Sequence, residues 1–141
     1  MQKTLLLFLI IISTYSFSNA QNEANNWYFG GFAGIDFNSG TATAVTDGAM
    51  QQYEGSATIS NKYGELLFYT NGLNVWNRKH EQMPNGYGLD GDPSTTQVVI
   101  IPLPESEDIY YIITADNNAG SKGLCYTIVD MTLDNGNNCI A

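Results

Sequence analysis

The stretch Leu66-Leu67-Phe68-Tyr69-Thr70-Asn71-Gly72-Leu73-Asn74-Val75-Trp76-Asn77 decides the fold. Four successive apolar residues run into Asn71-Gly72, a pair that tolerates the positive φ angles of a tight hairpin. The chain resumes with Leu73 to Asn77, whose valine and tryptophan suit a pleated strand. Nowhere after residue 20 does an i, i+3, i+4 apolar pattern persist for three turns, so helices are not expected. The strand–turn grammar extends in both directions. Trp27-Tyr28-Phe29, Thr41 to Thr46, Ser56 to Ser60, Glu65 to Thr70, Gln97 to Leu103, Ile109 to Thr114 and Leu124 to Met131 read as strands. Asp47-Gly48, Asn61 to Gly64, Asn85-Gly86, Asp90-Gly91, Asn117 to Gly123 and Asn135-Gly136 read as the turns between them. Such a density of hairpin signals means antiparallel sheet.

Leu66 to Tyr69 and Ile109 to Ile113 are apolar throughout, which predicts burial on both faces, as in sheets stacked between other sheets. An internal repeat supports this. Ala57 to Ser60, Leu66 to Thr70, Val75 to Asn77 and Asn85-Gly86 form one series. Val98 to Ile101, Ile109 to Thr114, Tyr126 to Asp130 and Asn135-Gly136 form a second, with Thr70 and Thr114 a step of 44 residues apart. A period of about 40–50 residues, with three or four strands per unit, is that of a β-propeller blade. The expected fold is therefore all-β, with kelch- or WD-like propeller blades; a β-sandwich is the alternative.

Residues 1–20 are set apart. Lys3 precedes the apolar run Leu5 to Ile12, and Ser18 and Ala20 supply small residues before a cut. That order is a secretory signal peptide. Eight apolar residues fall short of the roughly 20 that a spanning helix needs. The remainder, 21–141, is expected to be secreted or held at the cell surface, with no membrane span after processing. It carries four cations (Lys62, Arg78, Lys79, Lys122) against fourteen acids, a net charge of −10. Nucleic acid is an unfitting partner, because phosphate binding needs a concentrated basic face. Export permits a disulfide between Cys125 and Cys139, but spacing alone does not decide it.

No catalytic template is met, so no catalytic, cofactor-binding or metal residue is assigned, and no cofactor is implied. His80 is the sole histidine and reads as part of a strand leaving the core for a polar loop. A pair of carboxylates could hydrolyse a glycoside, and Asp36, Asp47, Glu54, Asp116 and Asp130 are available. Turn roles explain Asp47 and Asp116 better. Asp90-Gly91-Asp92 and Asp116-Asn117-Asn118 offer oxygen ligands for calcium, but neither has the spacing of the twelve-residue calcium loop. Trp27, Trp76 and the nine tyrosines could stack on sugars; for Trp76, core packing is the expected fate.

The wording of the chain is also familiar. Asn26-Trp27-Tyr28-Phe29-Gly30, Thr46-Asp47-Gly48-Ala49-Met50, Glu54 to Ser60, Gly64 to Gly72, Val75-Trp76-Asn77-Arg78-Lys79-His80 and Met83-Pro84-Asn85-Gly86 are the distinctive parts. Ser94 to Gln97, Ile109 to Ile112 and Tyr126 to Leu133 complete them. Together they resemble the N-terminal region of Bacteroidetes surface proteins that carry a gliding-motility-associated, type B C-terminal sorting domain for type IX secretion. The resemblance implies a propeller-like region of a larger secreted protein, with no assigned enzymatic activity and no known site residues. At about 44 residues per blade, 21–141 supplies two to three blades, whereas closure takes four to eight. The expectation is a truncated piece of a larger protein, its remaining blades lying in a full-length homologue; assembly with copies of itself is the competing explanation. The expected function is a non-enzymatic adhesion or interaction module for a surface glycan or protein. A carbohydrate-active propeller enzyme fragment and an inert fragment are the alternatives.

Overall fold

The computed structural model describes residues 22–92, 98–133 and 139–140. The expected leader, residues 1–20, lies outside the described residues, as do Ser94 to Gln97 and the Asn135-Gly136 turn. The architecture is all-β: three antiparallel sheets, none closed, stacked in the manner of a sandwich. Sheet 1 holds β1 (Asn26–Phe29), β2 (Ala33–Asp36) and β3 (Thr43–Val45). Sheet 2 holds β4 (Ala57–Ser60), β5 (Leu66–Thr70), β6 (Asn74–Asn77) and β7 (Gln82–Tyr87). Sheet 3 holds β8 (Val99–Pro102), β9 (Ile109–Ala115), β10 (Leu124–Asp130) and β11 (Cys139–Ile140). Each strand pairs with its neighbours in sequence, as hairpin connections require.

Sheet 2 is the middle layer, and β5 shows why its sequence is apolar on both faces. Phe68 points into a core with Val75, Met83, Leu89, Tyr110, Ile112 and Val129, against sheet 3. Tyr69 points the other way, to Tyr28 and Met50 of the first layer. Both rings are fully buried, each contributing on the order of 1.5–3 kcal/mol. Sheets 2 and 3 touch along both edges, β4 against β8 and β7 against β11. Sheet 1 joins where β1 lies beside β4. There the Thr58 hydroxyl accepts from the Tyr28 backbone N–H at 2.8 Å and approaches the Tyr28 carbonyl at 3.3 Å.

Sheets 2 and 3 are both four-stranded meanders; Thr70 is the last residue of the second strand in one and Thr114 the last but one in the other, and both are buried. Close approach links the loops beside them. Gly91 donates to the Gly72 carbonyl at 3.1 Å, and a Cβ on Gly91 would sit 2.3 Å from that oxygen.

Three expectations need correction. Asn85-Gly86 is not a turn between strands but lies inside β7, where the pairing with β6 shifts register. Asn85 does adopt a positive φ, 58°, in the service of that irregularity. Second, β9 is not buried on both faces: Tyr110, Ile112 and Thr114 are buried, while Tyr111 and Ile113 on the alternate face are only half-covered. Sheet 3 is an end layer, and nothing among the described residues packs on its outer side. Third, β2, β7 and β11 are strands that composition alone does not predict. The cysteine question is answered by register. Cys125 stands opposite Thr114, while Cys139 pairs with Asp130, five residues along β10. At 3.3 Å per residue that is about 16 Å, beyond the reach of a disulfide, and Cys125 is a free thiol.

Candidate functional site

The densest polar chemistry sits between sheets 1 and 2. Alternation along β1 turns Tyr28 inward, where its ring stacks on Tyr69 of β5 with centroids 4.7 Å apart. Trp76, opposite Tyr69 on β6, stacks on that ring's neighbouring face at 5.6 Å. At the tip of this aromatic pile the Tyr69 hydroxyl accepts from the Ala49 backbone N–H at 2.9 Å and meets His80 Nδ1 at 3.1 Å. His80 Nε2 lies 3.4 Å from Asp47 Oδ2. Tyr28 donates to Asp47 Oδ1 at 3.0 Å.

One assignment of hydrogens satisfies all of these contacts. The buried Tyr69 hydroxyl needs an acceptor for its hydrogen, and His80 Nδ1 is the one in reach. Nδ1 is then bare, Nε2 carries the imidazole hydrogen, and that hydrogen faces the Asp47 carboxylate. Burial, reinforced by the bond to Asp47, raises the Tyr28 pKa well above its ordinary value. Burial likewise raises that of Tyr69. Tyr28, Asp47, His80 and Tyr69 thus form a closed set in which each donor is spent on another member. The set ties two sheets together; moving a proton out of it to a substrate means breaking an internal bond.

His80 reaches this place through its turn. Asn77, itself buried, accepts from the Lys79 and Glu81 backbone N–H groups at 2.9 and 3.1 Å. His80 then takes a positive φ of 62°, which swings the imidazole back over the Tyr28 and Tyr69 rings. Sequence reading treated His80 as an exit from a strand and Asp47 as a turn residue. Their association across 33 positions carries no local signal.

The other candidates do not converge on a reaction centre. Asp36 accepts from Asn38 through both its backbone and its side-chain nitrogen. Asp116 accepts from the N–H groups of Asn117 and Lys122, a turn role as expected. Asp130 accepts from Thr132 twice, and those bonds lower its pKa. Asp116 and Asp130 occupy opposite ends of the β9–β10 hairpin, and Glu54 is exposed in the loop before β4. Of the calcium candidates, Asp90 is paired with Lys122 at 3.0 Å. Among the described residues no group of three His, Cys, Asp or Glu side chains could hold a metal ion.

Two surfaces remain. A cleft of about 340 Å³ opens between sheets 2 and 3, with Leu67 and Tyr110 as its floor. Its mouth carries Glu23, Tyr63 and Asp108 and is bridged by the Lys62–Glu107 ion pair. A shallower depression of about 350 Å³ lies on the outer face of sheet 3, among Tyr111, Ile113, Leu124, Tyr126 and Ile128. Trp27 is not in the core: half-exposed on the outer face of sheet 1, it leans on Phe37 and donates to the Ala24 carbonyl at 2.8 Å.

No family model, curated protein or solved structure matches the chain. Its function is therefore argued from its own residues.

Proposed function

We propose that the chain is a secreted, non-enzymatic interaction module of a bacterial surface, built from β-propeller blades and belonging to a larger type IX-secreted protein. The observation that carries this reading is the stacking of three meanders with apolar faces left open at both ends. Tyr28 of β1 lies on Tyr69 of β5, and Phe68 of β5 meets Tyr110 of β9 edge-on. The strands β5 and β9 thus hold equivalent places, as the second strands of successive blades would. A blade stack buries its faces only against further blades. The hydrophobic leader supports export, and the resemblance of the whole processed region supports the surface setting. The internal use of the Asp47–His80 pair supports a binding rather than a catalytic role.

The test is binding of the exported chain to glycan and protein arrays, together with assays of polysaccharide turnover. Saturable binding without turnover is the expected result. Turnover that disappears in Asp36→Asn, Asp47→Asn or Asp116→Asn would replace this reading with the carbohydrate-active enzyme. N-terminal sequencing of the exported chain should begin at Gln21; a retained Met1 would remove the surface setting.

A further inference from the structure

We infer that the cleft between sheets 2 and 3 is a binding site for a small organic ammonium, a primary amine carried on an aliphatic stem. The inference rests on the reading of the chain as a binding module and adds the chemistry of one ligand. Walls and rim both come from described residues of this chain, so the site does not depend on what covers the outer sheets.

Three segments build it. The 3-10 turn Asn22–Ala24 is fastened over the first hairpin of sheet 2, where Asn22 Nδ2 donates to the Lys62 carbonyl at 3.0 Å. That anchor sets Glu23 at the cleft. The β4–β5 turn brings Lys62 and Tyr63, and the β8–β9 turn brings Glu107 and Asp108. Between them the floor is apolar: Ile59, Leu67 and the ring of Tyr110. The hollow holds about 340 Å³, at the small end of the range for ligand pockets.

The polar groups are unbalanced. Three carboxylates, Glu23, Glu107 and Asp108, face one ammonium, and that ammonium, Lys62, is already paired with Glu107. Other donors are spent nearby: Tyr110 donates to the Glu107 carbonyl at 3.0 Å, and Asn61 to Glu65 at 2.8 Å. Glu23 Oε2 is buried and accepts no hydrogen bond, the one buried side-chain nitrogen or oxygen among the described residues left so. A buried acceptor without a donor calls for one from outside, and a carboxylate is best served by a charged one. Burial, followed by the charges of Asp108, Glu23 and Glu107, raises the pKa of Tyr110, so all three carboxylates bear on the hydroxyl at the floor. Lys62 shows how the rim holds an ammonium. Its Nζ meets Glu107 and lies 5.4 Å from the centre of the Tyr63 ring, within cation–π range. The pair is exposed on both sides and therefore weak, so an incoming ammonium can part it to reach Glu23. An anion meets three like charges here, and a neutral alcohol offers a donor without the charge.

Nuclear magnetic resonance titration of the exported chain with hexylamine, hexanol and hexanoate tests this. Hexylamine should bind saturably with a dissociation constant below about 10 mM, shifting the methyl signals of Ile59 and Leu67. Hexanol and hexanoate should bind at least tenfold more weakly. Glu23→Gln should weaken hexylamine binding at least tenfold, and Lys62→Met, which frees Glu107, should tighten it at least threefold. Glu23 Oε2 has no internal partner, so Glu23→Gln should unfold in urea no earlier than the unaltered chain; an earlier midpoint makes Glu23 a structural residue and overturns the inference. A blocked glycine-lysine-glycine peptide separates the sources of the amine. Binding as tight as that of hexylamine, or tighter, places the ammonium on a partner protein's lysine; weaker binding places it on a free amine. Hexanol bound as tightly as hexylamine, or a Glu23→Gln chain that binds hexylamine unchanged, overturns the assignment. So does hexylamine that fails to bind at about 10 mM. Array partners found for that same chain would leave the interaction module standing, and silence in both experiments would end both readings.

Discussion

Tyr69 is the residue through which two layers communicate, because its ring and its hydroxyl serve different neighbours. Tyr69→Phe keeps the stack on Tyr28 and Trp76 but strands the Ala49 N–H and His80 Nδ1. Both groups are only partly buried, so urea unfolding should show a loss of about 1 kcal/mol, the low end of what an unpaired buried group costs. Tyr28→Phe, which removes only one of two donors to the half-exposed Asp47, should cost less. The tyrosines also give stability an alkaline limit. Burial raises the pKa of Tyr28, Tyr69 and Tyr110 in the folded chain, against about 10 when unfolded. The folded state therefore holds these protons more tightly. Its advantage is complete below pH 10 and is lost as pH climbs toward the folded values. Melting temperature should fall steeply above pH 10, and less steeply in Tyr28→Phe. A profile flat from pH 9 to 11 would contradict the burial of these hydroxyls.

Three asparagines close the hairpins of sheet 2 by one device. Asn61 accepts from the N–H groups of Tyr63 and Glu65, Asn71 from Leu73 and Asn74, and Asn77 from Lys79 and Glu81. In each case a side-chain carbonyl replaces the strand partner that the backbone lacks at the bend. Asn77→Ala should cost about 1–3 kcal/mol in unfolding free energy and release His80, so that the Tyr69 bond is lost with it. The turns at Asn61 and Asn71 were legible because asparagine before glycine or before a bend has a local cause; the bend at Asn77 was read only as a strand passing into a polar loop. The strands rich in valine, isoleucine and aromatics were legible for the same reason. Ala33–Asp36 and Gln82–Tyr87 were not, since Ala-Gly-Ile-Asp and a segment with Pro84 have little strand preference of their own. They are held by what lies beside them: Trp27 facing Ile35, and Trp76 facing Gln82. The ring of Tyr28, Asp47, Tyr69 and His80 was hidden for a further reason. Its members come from four separate segments, and only the stacking of sheets brings them within bonding distance.

At the scale of the molecule, layers rather than loops organise the chemistry. Register keeps the two cysteines apart, so Cys125 should react with a thiol reagent without prior reduction, even after incubation in an oxidising buffer. A protected Cys125 that appears only after reductant would contradict the β10–β11 register. The outer face of sheet 3 is the other property of the whole: the apolarity of Ile109 to Ile113 was visible in the sequence, and the half-exposure of Tyr111 and Ile113 was not. What the sequence hid was which layer stands at the end.

The hydroxyl of Thr58 has a consequence of its own. By occupying both hydrogen-bonding groups of Tyr28, it takes up a place where the edge of β1 could accept a foreign strand. A single threonine side chain thereby guards this border against fibril-like pairing at Tyr28.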